Sequence, residues 1–254
     1  MGVLNKFVDF IKGDRTVKSI KEKDHYLTIT ENFSDRSLKF NGITYSRLNN
    51  NSIYTGSYWD YFTPLPSLYE NPSILMIGLG GGTIYHQLKK IYGKDVDIRV
   101  VEISEKVINL AEDFLGYNFN KSDIIVDDGS KVVKREKDRY DVVILDAYNE
   151  TYIPKAFLTD GFIEDSFEAL KDSGILAINF ALSAKNMIYY NRYLNMLGKH
   201  FKVYRISNGN LLGNVIILCT KKMDKNEINK RIHERYENVS ENKHVIDGYL
   251  SMRN

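Results

Sequence analysis

The sequence of 254 residues predicts an α/β fold. Its core is a doubly wound, mostly parallel sheet of seven strands, preceded by a small antiparallel β module. From residue 73 onward, short apolar, β-branched runs alternate with helical stretches, which is typical of parallel strands buried on both faces. Before that point, short alternating strands are separated by turn residues. We therefore expect one unit at residues 1–65 and a second at residues 66–254.

The first unit is predicted to hold an N-terminal helix and the β module. Apolar residues among the first twelve positions have helical spacing. Residues 26–30 alternate between apolar and polar side chains, as a half-buried strand does. Residues 38–40 and 43–45 flank Asn41 and Gly42, a dipeptide typical of a two-residue hairpin turn.

The second unit is predicted as a βα alternation that ends in a hairpin and a charged helical tail. The predicted strands are residues 74–77, 98–101, 124–126, 142–145, 175–178, 201–206 and 214–220. The predicted helices are residues 84–91, 105–115, 130–136, 156–171, 186–199 and 225–236. The short connection 207–210 lets the last two strands pair antiparallel. This order resembles the Rossmann-like class I methyltransferase fold.

Composition narrows the function classes. The formal net charge is +2, and no basic field indicates nucleic acid as a partner. No apolar stretch approaches the roughly 20 residues that span a bilayer, so no membrane partner is expected. The histidines show no metal-binding spacing, and no metal is expected. The single cysteine, Cys219, lies in an apolar run and is predicted to be buried. We expect a cytoplasmic protein.

A glycine loop between the first strand and the first helix of the second unit predicts a nucleoside ligand. Gly78, Gly80, Gly81 and Gly82 allow a tight turn and a close approach of a ligand to the backbone. The dinucleotide pattern requires a further glycine where Thr83 stands. The spacing of Gly78, Gly80 and Gly82 instead resembles the S-adenosylmethionine loop, which disfavours an NAD oxidoreductase.

Acidic residues follow the next three strands. Glu102 is predicted to accept hydrogen bonds from ribose hydroxyls, although a carboxylate there also fits an NAD site or a helix start. Asp127 and Asp128, before Gly129, are candidates for the adenine amino group or for a turn or cap. Asp146 is predicted at the carboxyl edge of the sheet, where an anion suits a cationic sulfonium or amine, or caps the loop.

Four segments together resemble the spermidine synthase family, namely residues 74–82, 101–104, 126–129 and 140–146. Met76 also resembles that family, because ordinary methyltransferases usually carry an acid at this position. The resemblance implies a transferase that takes S-adenosylmethionine or its decarboxylated form as co-substrate, with Ile103 and Gly129 among the nucleoside contacts. It further implies a small acceptor such as a polyamine, and a homodimer or homotetramer.

The resemblance also implies acceptor-side residues. A Gln of the family that follows the N-terminal hairpin corresponds to the neighbourhood of Tyr45. A Tyr-His-Glu element corresponds to Tyr58, Trp59 and Asp60, and Tyr148 belongs to the second active-site motif. We therefore expect Tyr45, Tyr58, Asp60 and Tyr148 to bind substrate.

Two positions depart from the family pattern. Gly81 replaces an Asp that faces the amino-acid end of the nucleotide, which predicts more room for a methionine tail and binding of S-adenosylmethionine at least as tight as that of its decarboxylated form. Asn149 replaces the Asp that accepts the amine proton, and an amide is no base. Asp146 and Glu150 are the remaining catalytic candidates.

The sequence therefore predicts a transferase of a methyl or aminopropyl group. The alternative is a protein of the same fold that holds an adenosyl ligand without turnover.

Overall fold

The structure is a computed structural model. It describes residues 13–22, 25–149, 152–184, 186–207, 213–236 and 242–254. The predicted N-terminal helix and Glu150 lie outside the described residues.

The small β module is an antiparallel sheet with its strands in chain order. Its strands are β1 (Arg15–Glu22), β2 (His25–Glu31), β3 (Asp35–Phe40) and β4 (Ile43–Asn49). Asn41 and Gly42 form the β3–β4 turn with φ angles of 47° and 84°, as a two-residue hairpin turn requires. Ile29 and Leu38 on one face of the sheet pack against Phe114 of the second unit. The small sheet thereby packs against a helix of the second unit, Glu105–Leu115.

The larger sheet has seven strands, in the order β10-β11-β9-β8-β5-β6-β7. The strands are β5 (Ser73–Ile77), β6 (Asp97–Glu102), β7 (Ile124–Val126), β8 (Tyr140–Leu145), β9 (Leu170–Leu182), β10 (Lys202–Ser207) and β11 (Gly213–Thr220). Strands β5 to β9 pair in parallel, whereas β11 pairs antiparallel with both β9 and β10. The predicted fold class is confirmed.

The α-helices of the described residues are α1 (Thr83–Tyr92), α2 (Glu105–Leu115), α3 (Gly129–Arg135), α4 (Asp160–Ala169), α5 (Met187–Leu197), α6 (Lys225–Arg231) and α7 (Lys243–Leu250). Side chains on the two faces of the sheet enter two separate cores. Ile74 and Met76 pack in one core, and Leu75 and Ile77 pack in the other. Burial of each such side chain stabilises the fold by about 1.5–3 kcal/mol. No helix of the described residues is long and apolar enough to cross a membrane.

The predicted helix 156–171 differs from the structure at both ends. Thr159 caps α4 by accepting a hydrogen bond from the Phe162 N–H at 3.2 Å, so the helix begins at Asp160. Leu170, which is fully buried, already pairs with Tyr140 of β8. Tertiary packing therefore ends the helix early and lengthens β9 to 13 residues.

The chain end holds a helix that the sequence did not predict. After α6 the chain continues as a π-helical turn at Ile232–Tyr236, and α7 follows. Helix α7 packs on a 3₁₀ helix at Tyr58–Phe62, where the Tyr249 hydroxyl donates to the Tyr61 carbonyl at 2.7 Å. Trp59 and Phe62 belong to the core of the larger sheet. The unit boundary at residue 65 stays a prediction. Because Trp59 and Phe62 pack in the core of the larger sheet, a boundary nearer to residue 50 is favoured.

Cys219 provides a chemical test of the sheet. It lies in β11, is fully buried, and burial raises the pKa of its thiol. We expect a thiol reagent to leave the native protein unmodified and to modify it fully in urea, as measured by mass spectrometry. Ser122 is exposed, so Ser122→Cys is the control that should react in the native state. Native reactivity of Cys219 equal to that of the control would contradict this position for β11.

Candidate active site

A cavity of about 440 Å³ opens at the carboxyl ends of strands β5, β6 and β8. Strand β5 lies between β6 and β8, because the chain runs outward from β5 through β6 to β7 and then crosses back to place β8 on the other side of β5. A doubly wound sheet binds its ligands at such a reversal of strand order. The volume falls within the range of small-molecule sites, about 300–1,000 Å³.

Gly78 brings the end of β5 against the end of β8. Its φ is +91°, and a Cβ atom there would lie 2.5 Å from the Asp146 carbonyl oxygen. The Gly78 N–H donates to the Val101 carbonyl, and the Asp146 N–H donates to the Ile77 carbonyl, each at 2.9 Å. Only glycine fits this position, and Gly78 and Gly80 both line the cavity.

Gly81 and Gly82 do not line the cavity. The Gly81 N–H donates to the Ser46 hydroxyl at 2.7 Å, and a Cβ atom at Gly81 would lie 2.5 Å from the Ser46 Cβ. Strand β4 of the small module therefore fills the space beside the loop. The extra room that the sequence predicts at Gly81 is absent, because Ser46 occupies it.

Glu102 and Ile103 line the cavity at the end of β6. The Glu102 carboxylate accepts hydrogen bonds from the Leu79 N–H at 3.1 Å and from the Ser104 N–H at 3.0 Å. Burial raises the pKa of Glu102, and these backbone donors oppose the shift. They also fix the carboxylate, which has further lone pairs for hydroxyl donors. The Ile103 side chain is 72% exposed and offers an apolar surface for a flat ring.

Asp127, Asp128 and Gly129 also line the cavity. Asp128 caps α3, because its Oδ1 accepts from the Ser130 N–H at 2.9 Å and from the Ser130 hydroxyl at 2.7 Å. Both of these bonds use Oδ1. The pKa of Asp127 is lowered, first by the Asp128 N–H and then by Arg135, whose guanidinium lies 3.0 Å from Oδ2. Asp127 is therefore an anion at neutral pH.

Asp146 lies at the centre of the cavity wall. Its Oδ1 accepts from the Asn179 side-chain amide at 2.7 Å, and its Oδ2 lies 3.5 Å from the Tyr58 hydroxyl. Burial raises the pKa of Asp146 to about 6, against the opposing effect of these two donors. A carboxyl group with this pKa is suited to take up a proton near neutral pH.

Asn179 and Asn214 line the cavity but were missed in the sequence. Asn179 is 1% exposed, and its Oδ1 accepts from the Asn214 side-chain amide at 2.8 Å. Tyr148 supports the same strand, because its hydroxyl donates to the Asn179 carbonyl at 2.7 Å and accepts from the Ala181 N–H at 2.8 Å. A polar residue inside the apolar run of β9 is the sequence feature that indicates Asn179.

Tyr45, Tyr58, Tyr148 and Asn149 also line the cavity, and whether they bind substrate stays a prediction. Asn149 is exposed and forms a backbone bridge with Tyr152. Glu150 lies outside the described residues.

Asp60 does not line the cavity, in contrast to the predicted substrate contact. It is fully buried behind the wall, where its carboxylate accepts from the backbone N–H of Thr55 and Gly56 and from the Gln87 amide. The Nε2 atom of His244 in α7 lies 3.2 Å from the Oδ2 atom of Asp60. These partners use both oxygens for internal bonds, so we do not propose Asp60 as a substrate contact.

The charge of the cavity has one sign. Four carboxylates line it, those of Glu102, Asp127, Asp128 and Asp146, and its described lining contains no Lys, Arg or His. An acidic cleft of this kind attracts cations and repels anions. Among the described residues, no group of three or more His, Cys, Asp or Glu side chains is placed to hold a metal ion.

The fold and the cavity define a Rossmann-like α/β protein with an acidic small-molecule cavity at the carboxyl ends of its parallel strands. The family model "Spermine/spermidine synthase domain" matches residues 62–230. The chain therefore belongs to the spermine/spermidine synthase family, and the resemblance stated from the sequence is confirmed.

Two similar proteins are named polyamine aminopropyltransferases. The probable enzyme of Bifidobacterium longum is 32% identical over 161 residues, which cover 61% of this chain and 35% of that protein. The enzyme of Prochlorococcus marinus strain MIT 9301 is 27% identical over 205 residues, which cover 78% of this chain and 70% of that protein.

Two solved structures share the fold. A spermidine synthase in complex with the transition-state analogue AdoDATO has a TM-score of 0.72 at 19% identity, over 94% of this chain and 86% of that one. Human methyltransferase-like protein 13 in complex with SAH has a TM-score of 0.59 at 19% identity, over 72% of this chain and 92% of that one.

The contact between Gly81 and Ser46 predicts that a substitution at residue 46 compensates for a destabilising substitution at residue 81. Gly81→Asp should destabilise the protein by about 1–3 kcal/mol in urea unfolding, because the new side chain overlaps Ser46. Ser46→Gly in the same chain should recover most of that loss. Gly161→Asp is the control, because its Cβ meets nothing within 4 Å. The control should stay within about 0.5 kcal/mol of wild type. Equal stability of Gly81→Asp and wild type would mean that the gap beside the loop is open.

Proposed function

We propose that this protein transfers an aminopropyl group from decarboxylated S-adenosylmethionine to an amine, with a polyamine as the acceptor. The observation that carries the proposal is the acidic cavity, whose described lining holds four carboxylates and no cationic side chain. Both substrates are cations, so this charge favours both of them. The names of the two similar proteins support the same reaction.

The nucleoside would bind along the strand ends. Glu102 is fixed by two backbone donors and would accept from the ribose hydroxyls. Asp128, which uses Oδ1 for its cap, would accept from the adenine amino group, with Asp127 beside it. Ile103 would lie against the adenine ring. Gly78 would let the backbone approach the ligand.

The charge of the cavity favours the decarboxylated donor. A methionine carboxylate would enter a cleft in which every described ionisable lining side chain is acidic or phenolic. Ser46 also occupies the space beside Gly81 that the sequence assigned to this carboxylate. We therefore reverse the sequence-based expectation, and expect S-adenosylmethionine to bind more weakly than its decarboxylated form.

Asp146 would accept the proton. The acceptor nitrogen attacks the carbon beside the sulfonium, so that a C–N bond forms while the C–S bond breaks and sulfur keeps the electron pair. The proton released by the new ammonium passes to Asp146, whose pKa of about 6 suits this role. Asn149 lies at the cavity but carries an amide, so it would position the acceptor by hydrogen bonding.

The acceptor side of the cavity suits a polyamine. Tyr58 and Trp59 have ring centroids 4.5 Å apart, and Tyr148 and Phe157 complete an aromatic wall. Aromatic faces pack against methylene groups and attract ammonium groups. A chain of methylenes between amines has both features.

The amide of Asn149, which is no base, favours a second candidate function. In this function the protein holds an adenosyl ligand without turnover. Methyl transfer is the third possibility from the sequence, and the lack of a described cation for a methionine carboxylate disfavours it. The homodimer or homotetramer and the cytoplasmic location stay predictions.

A turnover assay separates these functions. The protein is incubated with decarboxylated S-adenosylmethionine and putrescine, and spermidine and methylthioadenosine are measured by chromatography. We expect both products from wild type, and a loss of about 10²–10⁴-fold in Asp146→Asn, because the proton acceptor is removed. Asn149→Asp should keep or raise the rate. Asp247→Asn on the exposed side of α7 is the control without effect. Tight donor binding without product would support the non-catalytic alternative.

The pH profile tests the role of Asp146. Since a protonated carboxyl cannot accept a proton, kcat/KM should fall below pH 6, with a limb at the pKa of about 6. In Asp146→Asn this limb should be absent from the residual rate. The same limb in both proteins would assign it to another group.

The free energy of unfolding should also depend on pH through the titration of Asp146, and the direction of the change follows from its raised pKa. The folded pKa of Asp146 is about 6, above the unfolded value of about 4, so ionisation opposes folding. Stability due to this group is therefore lost as the pH rises through 6. Asp146→Asn should be more stable than wild type by about 1–3 kcal/mol at pH 8, and the difference should shrink towards pH 4. Urea unfolding across this range measures it, and a constant difference would contradict the assignment.

A further inference from the structure

A chain of two amides reaches Asp146 from neighbouring strands. Asn214 of β11 donates through Nδ2 to Asn179 Oδ1 at 2.8 Å. Asn179 of β9 donates through Nδ2 to Asp146 Oδ1 at 2.7 Å. All three residues line the cavity. The polar chain thus runs along the cavity wall and ends on the carboxylate.

The strand register brings the two amides together. Asn214 pairs with Ala181, and Asn179 pairs with Ile216 across the antiparallel β9–β11 ladder. Residues two apart on a strand share a face, so Asn179 and Asn214 are diagonal neighbours on one face. The Tyr148 hydroxyl bonds to Asn179 and Ala181 backbone groups and holds this part of β9.

Only one orientation of the Asn179 amide satisfies its neighbours. If Oδ1 faced Asp146, two acceptors would meet without a proton between them. With Nδ2 towards Asp146, Oδ1 requires a donor, because the side chain is buried. Asn214 supplies that donor. Asn214 therefore holds Asn179 in the orientation that Asp146 requires.

The two oxygens of Asp146 are consequently unequal. Oδ1 carries the bond from Asn179 at 2.7 Å, whereas the Tyr58 hydroxyl lies 3.5 Å from Oδ2. We propose that Asn214 is a positioning residue, which acts through Asn179 to engage Oδ1 of Asp146 and leaves Oδ2 to take the proton of the attacking amine. This inference rests on the proposed function of Asp146.

Within the part of the chain that the structure describes, the other titratable groups at Asp146 are the phenols of Tyr58 and Tyr148. Tyr58 and Tyr148 both have raised pKa values, first because they are buried and second because Asp146 is negative. Both stay neutral in the range in which Asp146 titrates. A change in the Asp146 titration therefore reports on its hydrogen bonds and its burial.

The test measures the pKa of Asp146 by carboxyl NMR of protein labelled at aspartate, with the signal assigned by its loss in Asp146→Asn. Asn179→Leu removes the donor and should raise this pKa by about one unit. Asn214→Ala should raise it by about half a unit, because Asn179 is no longer oriented. Asn214→Ser keeps a donor and should restore most of the wild-type value. Asn195→Ala, exposed on α5, is the control without effect.

The double variant separates an amide chain from two independent effects. In an Asn179→Leu background, Asn214→Ala should cause no further shift, because its route to Asp146 is gone. An unchanged pKa in Asn214→Ala, or an additive shift in the double variant, would overturn the proposal. Asn214 is only partly buried, so its variant tests the idea even if Asn179→Leu does not fold.

The titration needs no catalysis, so it distinguishes this inference from the proposed function. Expected pKa shifts in a protein that forms no polyamine would support the amide chain and reject Asp146 as the proton acceptor. Polyamine formation with an unshifted pKa in Asn214→Ala would support the reaction and reject the role of Asn214. In an active protein, the kcat/KM limb should move with the NMR titration in each variant.

Discussion

The approach of Gly78 to Asp146 is the contact on which the site depends. With φ at +91° and no room for a Cβ atom beside the Asp146 carbonyl, the loop after β5 lies directly on the end of β8. This places the glycine loop, Glu102 and Asp146 around one cavity. A side chain at residue 78 would force the ends of β5 and β8 apart and would separate Glu102 from Asp146.

The second constraint is charge. The described lining of the cavity contains four carboxylates, which the fold stabilises by different means: backbone donors for Glu102, a helix cap for Asp128, an ion pair for Asp127 and an amide for Asp146. A buried carboxylate is costly without such partners. Asp146 receives the least compensation for its burial, as its raised pKa shows. Among these four carboxyl groups, Asp146 therefore has the most strongly raised pKa, which suits the role of proton acceptor that we propose for it.

The parts of the site that lie on local motifs were predictable. Gly78, Glu102, Asp128 and Asp146 each lie at or just after the carboxyl end of a parallel strand, and these ends meet at one edge of the sheet. The hairpin turn at Asn41 was also predictable, because two adjacent residues, Asn41 and Gly42, determine it.

The remaining parts depend on contacts between distant segments. Asn179 and Asn214 meet through the antiparallel register of β9 and β11, which a strand pattern does not specify. Ser46 reaches the glycine loop from the other sheet, so the sequence suggested an open space at Gly81 where the fold has none. Asp60 looked like a substrate contact from its neighbours in sequence, yet its carboxylate points into an internal hydrogen-bond network.

The acidic cavity should select its ligands by the sign of their charge. Calorimetry of the purified protein with decarboxylated S-adenosylmethionine, S-adenosylmethionine, methylthioadenosine and NAD tests this selection directly. We expect the decarboxylated form to bind at least tenfold, or about 1.4 kcal/mol, more tightly than S-adenosylmethionine. We also expect methylthioadenosine to bind and NAD not to bind. Tighter binding of S-adenosylmethionine, or of NAD, would contradict selection by an acidic cavity.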